Sequence, residues 1–144
     1  MITVSRLEPV DREAWESLFR GYLAFYRRTL PLEMYDRAWT AFQADTHMHA
    51  LGARQDGTLV AIAHFLIHPS TSAADVCYLQ DLFTAPRFRG HGLARALIAA
   101  VGEQARARGC SRVYWTTHES NQTARRLYDQ VAVNRGFIRY ELDL

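Results

Sequence analysis

The chain has almost no cysteine. Cys77 and Cys110 are its only two in 144 residues, which argues against a disulfide framework and against a cysteine-built zinc site. They read as a buried small hydrophobe and a turn residue, and no metal is expected. The opening residues MITVSRLEPV show no basic-then-apolar signal pattern, so no leader is expected. No apolar run reaches transmembrane length, so the expectation is a cytoplasmic protein without a membrane partner. Neither sign of charge predominates, with 17 arginines against 15 acidic residues. The formal net charge of +2 is too mild to argue for nucleic acid. Present instead are 49% hydrophobic and 12% aromatic residues, enough for one compact domain with a sizeable core.

No repeat or low-complexity linker divides the chain, so residues 1–144 are expected to form a single domain. Ile2 to Leu7 alternate as a strand. Pro9 and Asp11 open a helix from about Arg12 to Arg28. Its Trp15, Leu18, Phe19, Tyr22, Phe25 and Tyr26 share one face at three- and four-residue spacing. Pro31 breaks that helix, and Leu32 to Ala44 reads as a second. Ala50 to Arg54 and Leu59 to His68 read as strands around a turn at Gln55-Asp56-Gly57. Pro69 to Ala74 is a polar loop, and Val76 to Thr84 the next strand. A helix from Leu93 to about Arg108 buries Leu93, Ala94, Leu97, Ile98, Val101 and Ala105, then stops at Gly109. Ser111 to Thr117 reads as a strand, Ser120 as the cap of a helix from Asn121 to about Ala132, and Phe137 to Leu142 as a closing strand. Strands and helices intermix with hairpins and crossovers, which predicts an α/β (α+β) fold on a mixed sheet.

The richest stretch is YLQDLFTAPRFRGHGLA, Tyr78 to Ala94. A strand ends at Pro86, which cannot donate to a ladder. An Arg87-x-x-Gly90-x-Gly92 turn follows, and a helix starts at once. Unpaired N–H groups and the positive end of the dipole meet there, so the order of parts builds an anion site suited to phosphate. Gly90 and Gly92 let the backbone take unusual φ/ψ and approach a ligand closely. Arg87, Arg89 and Arg95 add charge. A Walker A loop needs Gly-Lys-Ser/Thr, which is missing. A dinucleotide fingerprint needs a third small residue where Arg95 stands, and an acidic residue about 20 positions on, which Cys110 to Tyr114 lacks. A plain glycine-rich turn is the bland alternative.

Arg87-x-x-Gly90-x-Gly92-Leu93-Ala94 resembles the acetyl-CoA signature of the GNAT superfamily of N-acetyltransferases. The wider runs YLQDLFTAPRFRGHGLARALI, GCSRVYWTTHESNQTARRLYDQVA and GFIRY resemble the branch of diamine and Hpa-type acetyltransferases, from about Val76 onward. The resemblance implies a mixed sheet splayed open between the strands ending near Thr84 and Thr117, with acetyl-CoA in the opening. It implies that the pantetheine arm pairs with the backbone of Leu82, Phe83 and Thr84 and that an N–H of Leu82 or Phe83 receives the oxyanion. The pyrophosphate would rest on Arg89, Gly90, His91, Gly92, Leu93, Ala94 and Arg95. Asn121 and Ala124 match positions near the pantetheine arm. A homodimer is plausible on the same ground.

Acetyl transfer to an amine needs a neutral amine, a donor for the carbonyl oxygen and a proton for the leaving thiolate. Tyr128 stands where the family keeps its general acid, in Asn121-x-x-Ala124-x-x-Leu127-Tyr128. Spacing alone allows a core tyrosine there. Gln80 stands where diamine acetyltransferases carry a glutamate, and an amide takes no proton at neutral pH. Asp81 is adjacent, but a period of two turns it to the opposite face unless a bulge re-aims it. His118, Glu119 or a water relay are the other options for a base. On the acceptor side, Tyr22, Phe25, Tyr26, Tyr35 and Trp39 offer aromatic surface, and Glu33, Asp36 and Asp45 offer negative charge, which suits an amine. Tyr26, Glu33 and Glu119 are the acceptor-binding candidates. A polyamine, diamine or amino acid is the expected acceptor. A protein lysine acetyltransferase and a non-catalytic acyl-CoA sensor are the rivals, and nucleic-acid binding ranks last.

Overall fold

The computed structural model describes residues 1–144. In chain order the elements are β1 (Ile2–Arg6), α1 (Arg12–Phe25), α2 (Leu32–Ala44), β2 (Met48–Gln55), β3 (Thr58–His68), β4 (Val76–Thr84), α3 (Leu93–Ala107), β5 (Val113–Tyr114) and α4 (Gln122–Val131). The five strands form one sheet in sequence order. Its first four are antiparallel, and β5 runs parallel to β4. This is the mixed α/β sheet that the sequence predicts.

Each sheet face carries its own core, because alternate residues of the long strands point opposite ways. Leu51, Ala53, Ala61, Ala63 and Phe65 meet Leu93, Leu97, Val101 and Ala105 of α3 on one face. On the other, Ile62 and Ala50 meet Trp15, Leu18, Phe19 and Leu23 of α1 and Tyr35 and Phe42 of α2. The buried residues of α3 recur every four positions, as the helical stripe requires.

Four expectations are corrected. Helix α1 ends at Phe25 rather than near Arg28, because Arg27 turns left-handed at φ 55° and the Arg28 N–H folds back to Leu23 O at 2.9 Å. The cap of α4 is Asn121, not Ser120: its Oδ1 accepts from the Ala124 N–H at 3.3 Å. The strand expected over Ser111 to Thr117 is reduced to Val113–Tyr114, which pair only with Cys77 and Tyr78 before β4 and β5 part. No strand forms at Phe137 to Leu142. That stretch finds no ladder partner within the chain, and Phe137, Ile138, Tyr140 and Leu142 are 77–90% exposed.

All seventeen basic residues are arginine. Arg12 donates to Glu16 at 2.5 Å and to Asp36 at 2.6 Å, and lies over the rings of Trp15 and Trp39. Arg20 also holds Glu16 and covers Tyr35 at 4.3 Å. These planar cations seal the rim of the aromatic core. No helix is long and apolar enough to cross a membrane.

Candidate active site

The site is set by a bulge in β4. His64 faces Asp81 and Phe65 faces Leu79, so Gln80 has no partner on β3. The extra residue resets the alternation. Leu79 packs on the α3 side, whereas Asp81 and Phe83 turn to the α1 side. Gln80 itself is exposed.

Around Asp81 the sequence gathers residues from three other elements. His64 of β3, 2% exposed, bonds the Asp81 carboxylate through Nδ1 at 2.9 Å. The Trp15 indole of α1 donates to His64 Nε2 at 2.9 Å. Tyr22, also on α1, lies against the same carboxylate. Burial first, and the Asp81 charge second, push its phenol well above the ordinary tyrosine range. Tyr22 touches Tyr26, with ring centroids 5.1 Å apart, and Tyr26 approaches His118 at 6.0 Å. Tyr26 is also close enough to Tyr128 to add to the rise that burial causes in that phenol. Asp81, Tyr22, Tyr26, His118 and Tyr128 thus share one neighbourhood, at the mouth where the sheet opens. Tyr128 is half-buried, with its ring edge-on to Trp115 at 5.4 Å.

The opening is a consequence of the short β5. Beyond Tyr78, no strand pairs with the outer edge of β4. The Ala85 N–H donates inward to Val60 O at 2.9 Å. Alternation therefore turns the Phe83 backbone toward β3 and leaves Leu82 and Thr84 facing the opening. Of the two N–H groups expected to meet an oxyanion, Leu82 points the right way and Phe83 is spent on the ladder. The Thr84 carbonyl is taken by Arg89 Nε at 3.2 Å, and the Arg89 guanidinium lies over Phe83.

The glycine loop follows a short 3₁₀ turn at Pro86–Phe88. Gly90 and Gly92 sit at φ 81° and 86°, which a side chain would strain. The first internal bond of α3 runs from Ala96 N–H to Gly92 O at 3.0 Å, so the N–H groups of Leu93, Ala94 and Arg95 have no helical acceptor. Two side chains expected at the phosphate are engaged elsewhere: His91 of the loop bonds Gln55 at 3.0 Å, and Arg95 of α3 bonds Gln130, tying α3 to α4. Arg89 is the loop cation that lies at the opening. Asn121 serves as the cap of α4 with Ala124 as its donor. Glu33 and Glu119 are exposed. The Glu119 carbonyl holds Arg125 at 2.7 Å.

Two clefts meet at Phe25. One, of about 500 Å³, lies between α1 and the end of β4, against Ser17, Gly21, Phe83, Pro86 and Arg89. The other, of about 320 Å³, is lined by His118, Ser120, Asn121, Gln122 and Thr123. Gly21 belongs to the first because a β-carbon there would stand 3.0 Å from the Phe83 ring. The sequence places Tyr22 on the aromatic face of the first helix and on the acceptor side, and Trp15 on that helix face alone, and it gives no functional role to His64. His64 in LVAIAHFLIH carries no local signal of a partner 49 residues away.

An open strand edge, a glycine turn and an uncapped helix start suit a CoA thioester. Residues 15–132 match the acetyltransferase (GNAT) family. The chain belongs to that family. It is 32% identical over 145 residues to the D-amino-acid N-acetyltransferase HPA3 of Saccharomyces cerevisiae, covering 97% of this chain and 89% of that protein. It is 28% identical over 125 residues to the L-ornithine N5-acetyltransferase NATA1 of Arabidopsis thaliana, covering 85% and 50%. Its fold superposes with a TM-score of 0.88, at 18% identity over 100% of this chain and 99% of the other, on AAC(6')-Iy in complex with a CoA bisubstrate analog. This GNAT chain is an acetyl-CoA-dependent N-acetyltransferase that acts on amines. The resemblance seen in its sequence is its family.

Proposed function

We propose that the acceptor is the primary amine of a small molecule, an amino acid first, attacked directly in a ternary complex. The observation that carries this reading is the bulge at Gln80. It turns the Asp81 carboxylate to the α1 side, beside Tyr22, while the Leu82 backbone stays on the open edge. Asp81 takes a proton from the acceptor ammonium, freeing the nitrogen lone pair to form the new C–N bond. The Leu82 N–H meets the charge on the carbonyl oxygen. The Tyr128 hydroxyl gives its proton to the sulfur as the C–S bond breaks, and the second proton shed by the new amide nitrogen passes through solvent to restore the phenol. Arg89 and the free N–H groups of Leu93, Ala94 and Arg95 hold the donor's phosphates. The exposed Gln80 amide has no proton-accepting role.

Amino acids are favoured over longer acceptors for two reasons. The nearly full-length relative from yeast is named for D-amino acids. No acidic residue lines either cleft, as a polycation would call for, and Phe25, Phe83 and His118 put rings into their walls. Thiol release from acetyl-CoA, measured against D- and L-amino acids, polyamines, an aminoglycoside and a lysine-rich peptide, tests this. Amino acids are expected to show the highest kcat/KM. Preference for the peptide or a polyamine overturns the acceptor assignment, and saturable acetyl-CoA binding with no turnover favours a sensor.

We further propose a homodimer. The strand-like segment Phe137 to Leu142, with Phe137, Ile138, Tyr140 and Leu142 exposed, is left without a ladder partner within the chain, which suits pairing with a second copy. A monomeric mass by sedimentation equilibrium at high concentration refutes it.

A further inference from the structure

The Trp15–His64–Asp81 chain has an internal logic that fixes one proton. An indole N–H donates and never accepts. Trp15 donates to His64 Nε2 at 2.9 Å, so that nitrogen must present its lone pair. The imidazole proton is then on Nδ1, which faces Asp81 Oδ2 at 2.9 Å. Both ring nitrogens are used, one as acceptor and one as donor. The ring has no freedom to turn over: it stacks on Phe42 at 4.4 Å and meets Phe19 edge-on at 4.9 Å. Trp15 is fully buried and held in turn among Phe19, Tyr35, Trp39 and Phe42.

We propose that His64 is a positioning residue for the Asp81 base, locked by Trp15 as the Nδ1–H tautomer so that one carboxylate oxygen is held and the carboxylate keeps one aim. This rests on the assignment of Asp81 as base. The lock explains why the bulge lies where it does. Without the bulge, Gln80 would face His64 and Asp81 would fall opposite Ala63 on the α3 side, away from His64. His64 moves no proton in the reaction. The proton leaving the ammonium ends on Asp81, and the Nδ1–H stays with the ring. A base held in this way keeps one geometry through the cycle, and misplacement by about 1 Å costs on the order of 10²-fold in rate. The groups facing Asp81 are His64 from β3 and Tyr22 from α1, and Trp15 stands behind His64.

Nitrogen-15 NMR of histidine-labelled protein reads the tautomer directly. The expected spectrum shows a protonated Nδ1 and an unprotonated, hydrogen-bonded Nε2 for His64, with Trp15→Phe shifting the Nε2 signal. A protonated Nε2 in the folded wild-type protein overturns the proposal. For the kinetics, His64→Leu is expected to lower kcat about 10²-fold with KM for acetyl-CoA unchanged. His64→Asn, whose amide N–H can stand in for Nδ1–H, recovers most of that loss. If both variants are equally impaired, or neither is, the positioning role fails. Asp81→Asn separates the two ideas. An inactive Asp81→Asn beside a fully active His64→Leu leaves the base assignment standing and removes the lock. An active Asp81→Asn removes the base assignment itself.

Discussion

Tyr128→Phe is expected to lower kcat by roughly 10²- to 10⁴-fold while acetyl-CoA affinity stays at the wild-type level. The substitution removes one oxygen and keeps the ring that packs edge-on to Trp115, so the fold and the open edge of β4 are untouched. What is lost is the proton for the departing sulfur. Burial, and then Tyr26, raise the Tyr128 phenol above the ordinary value. The sign favours an acid. A raised value keeps the hydroxyl protonated as pH climbs through the usual tyrosine range near ~10. The rate should therefore not fall on account of Tyr128 until the pH exceeds that range. Steady-state kinetics across alkaline pH, beside calorimetric titration with CoA, checks both halves. Wild-type turnover by the variant would remove Tyr128 from the mechanism.

The second large effect is expected at Asp81. Asp81→Asn keeps the shape and can still offer an oxygen to His64 Nδ1–H, so the bulge survives. Its other terminus is then an NH₂ that accepts no proton. A loss of roughly 10²- to 10⁴-fold in kcat follows for a missing general base, with donor binding again intact. Rapid quench of a single turnover places the loss in the chemical step. A variant that turns over normally shows that water alone carries the proton away.

The sequence displayed the site unevenly, for physical reasons. The anion loop was legible because each of its parts is local: Pro86 stops a strand, Gly92 permits φ 86°, and α3 begins one residue later. The buried stripe of α3 was legible for the same reason. The aim of Asp81 was not. Alternation along YLQDLFT puts Asp81 on the face of Leu79, and only the register against β3 reveals Gln80 as the extra residue. His64 was equally silent, since its partners come from α1 and from β4. Phe137 to Leu142 shows the converse: the strand-like pattern is in the sequence, but a ladder needs a neighbour that this chain does not supply. Arg95 was readable as a cation near phosphate, and the fold spends it instead on Gln130.

The arginine-only surface has a consequence for a protein that works beside a reactive thioester. An ε-amine that loses its proton is itself an acceptor, whereas a guanidinium stays protonated and offers no free nucleophile. Arg12, Arg20 and Arg89, which close the aromatic core and the rim of the cleft, therefore keep their charge in the presence of the protein's own donor. With no lysine in the chain, no side-chain amine of the enzyme competes with the substrate for the acetyl group.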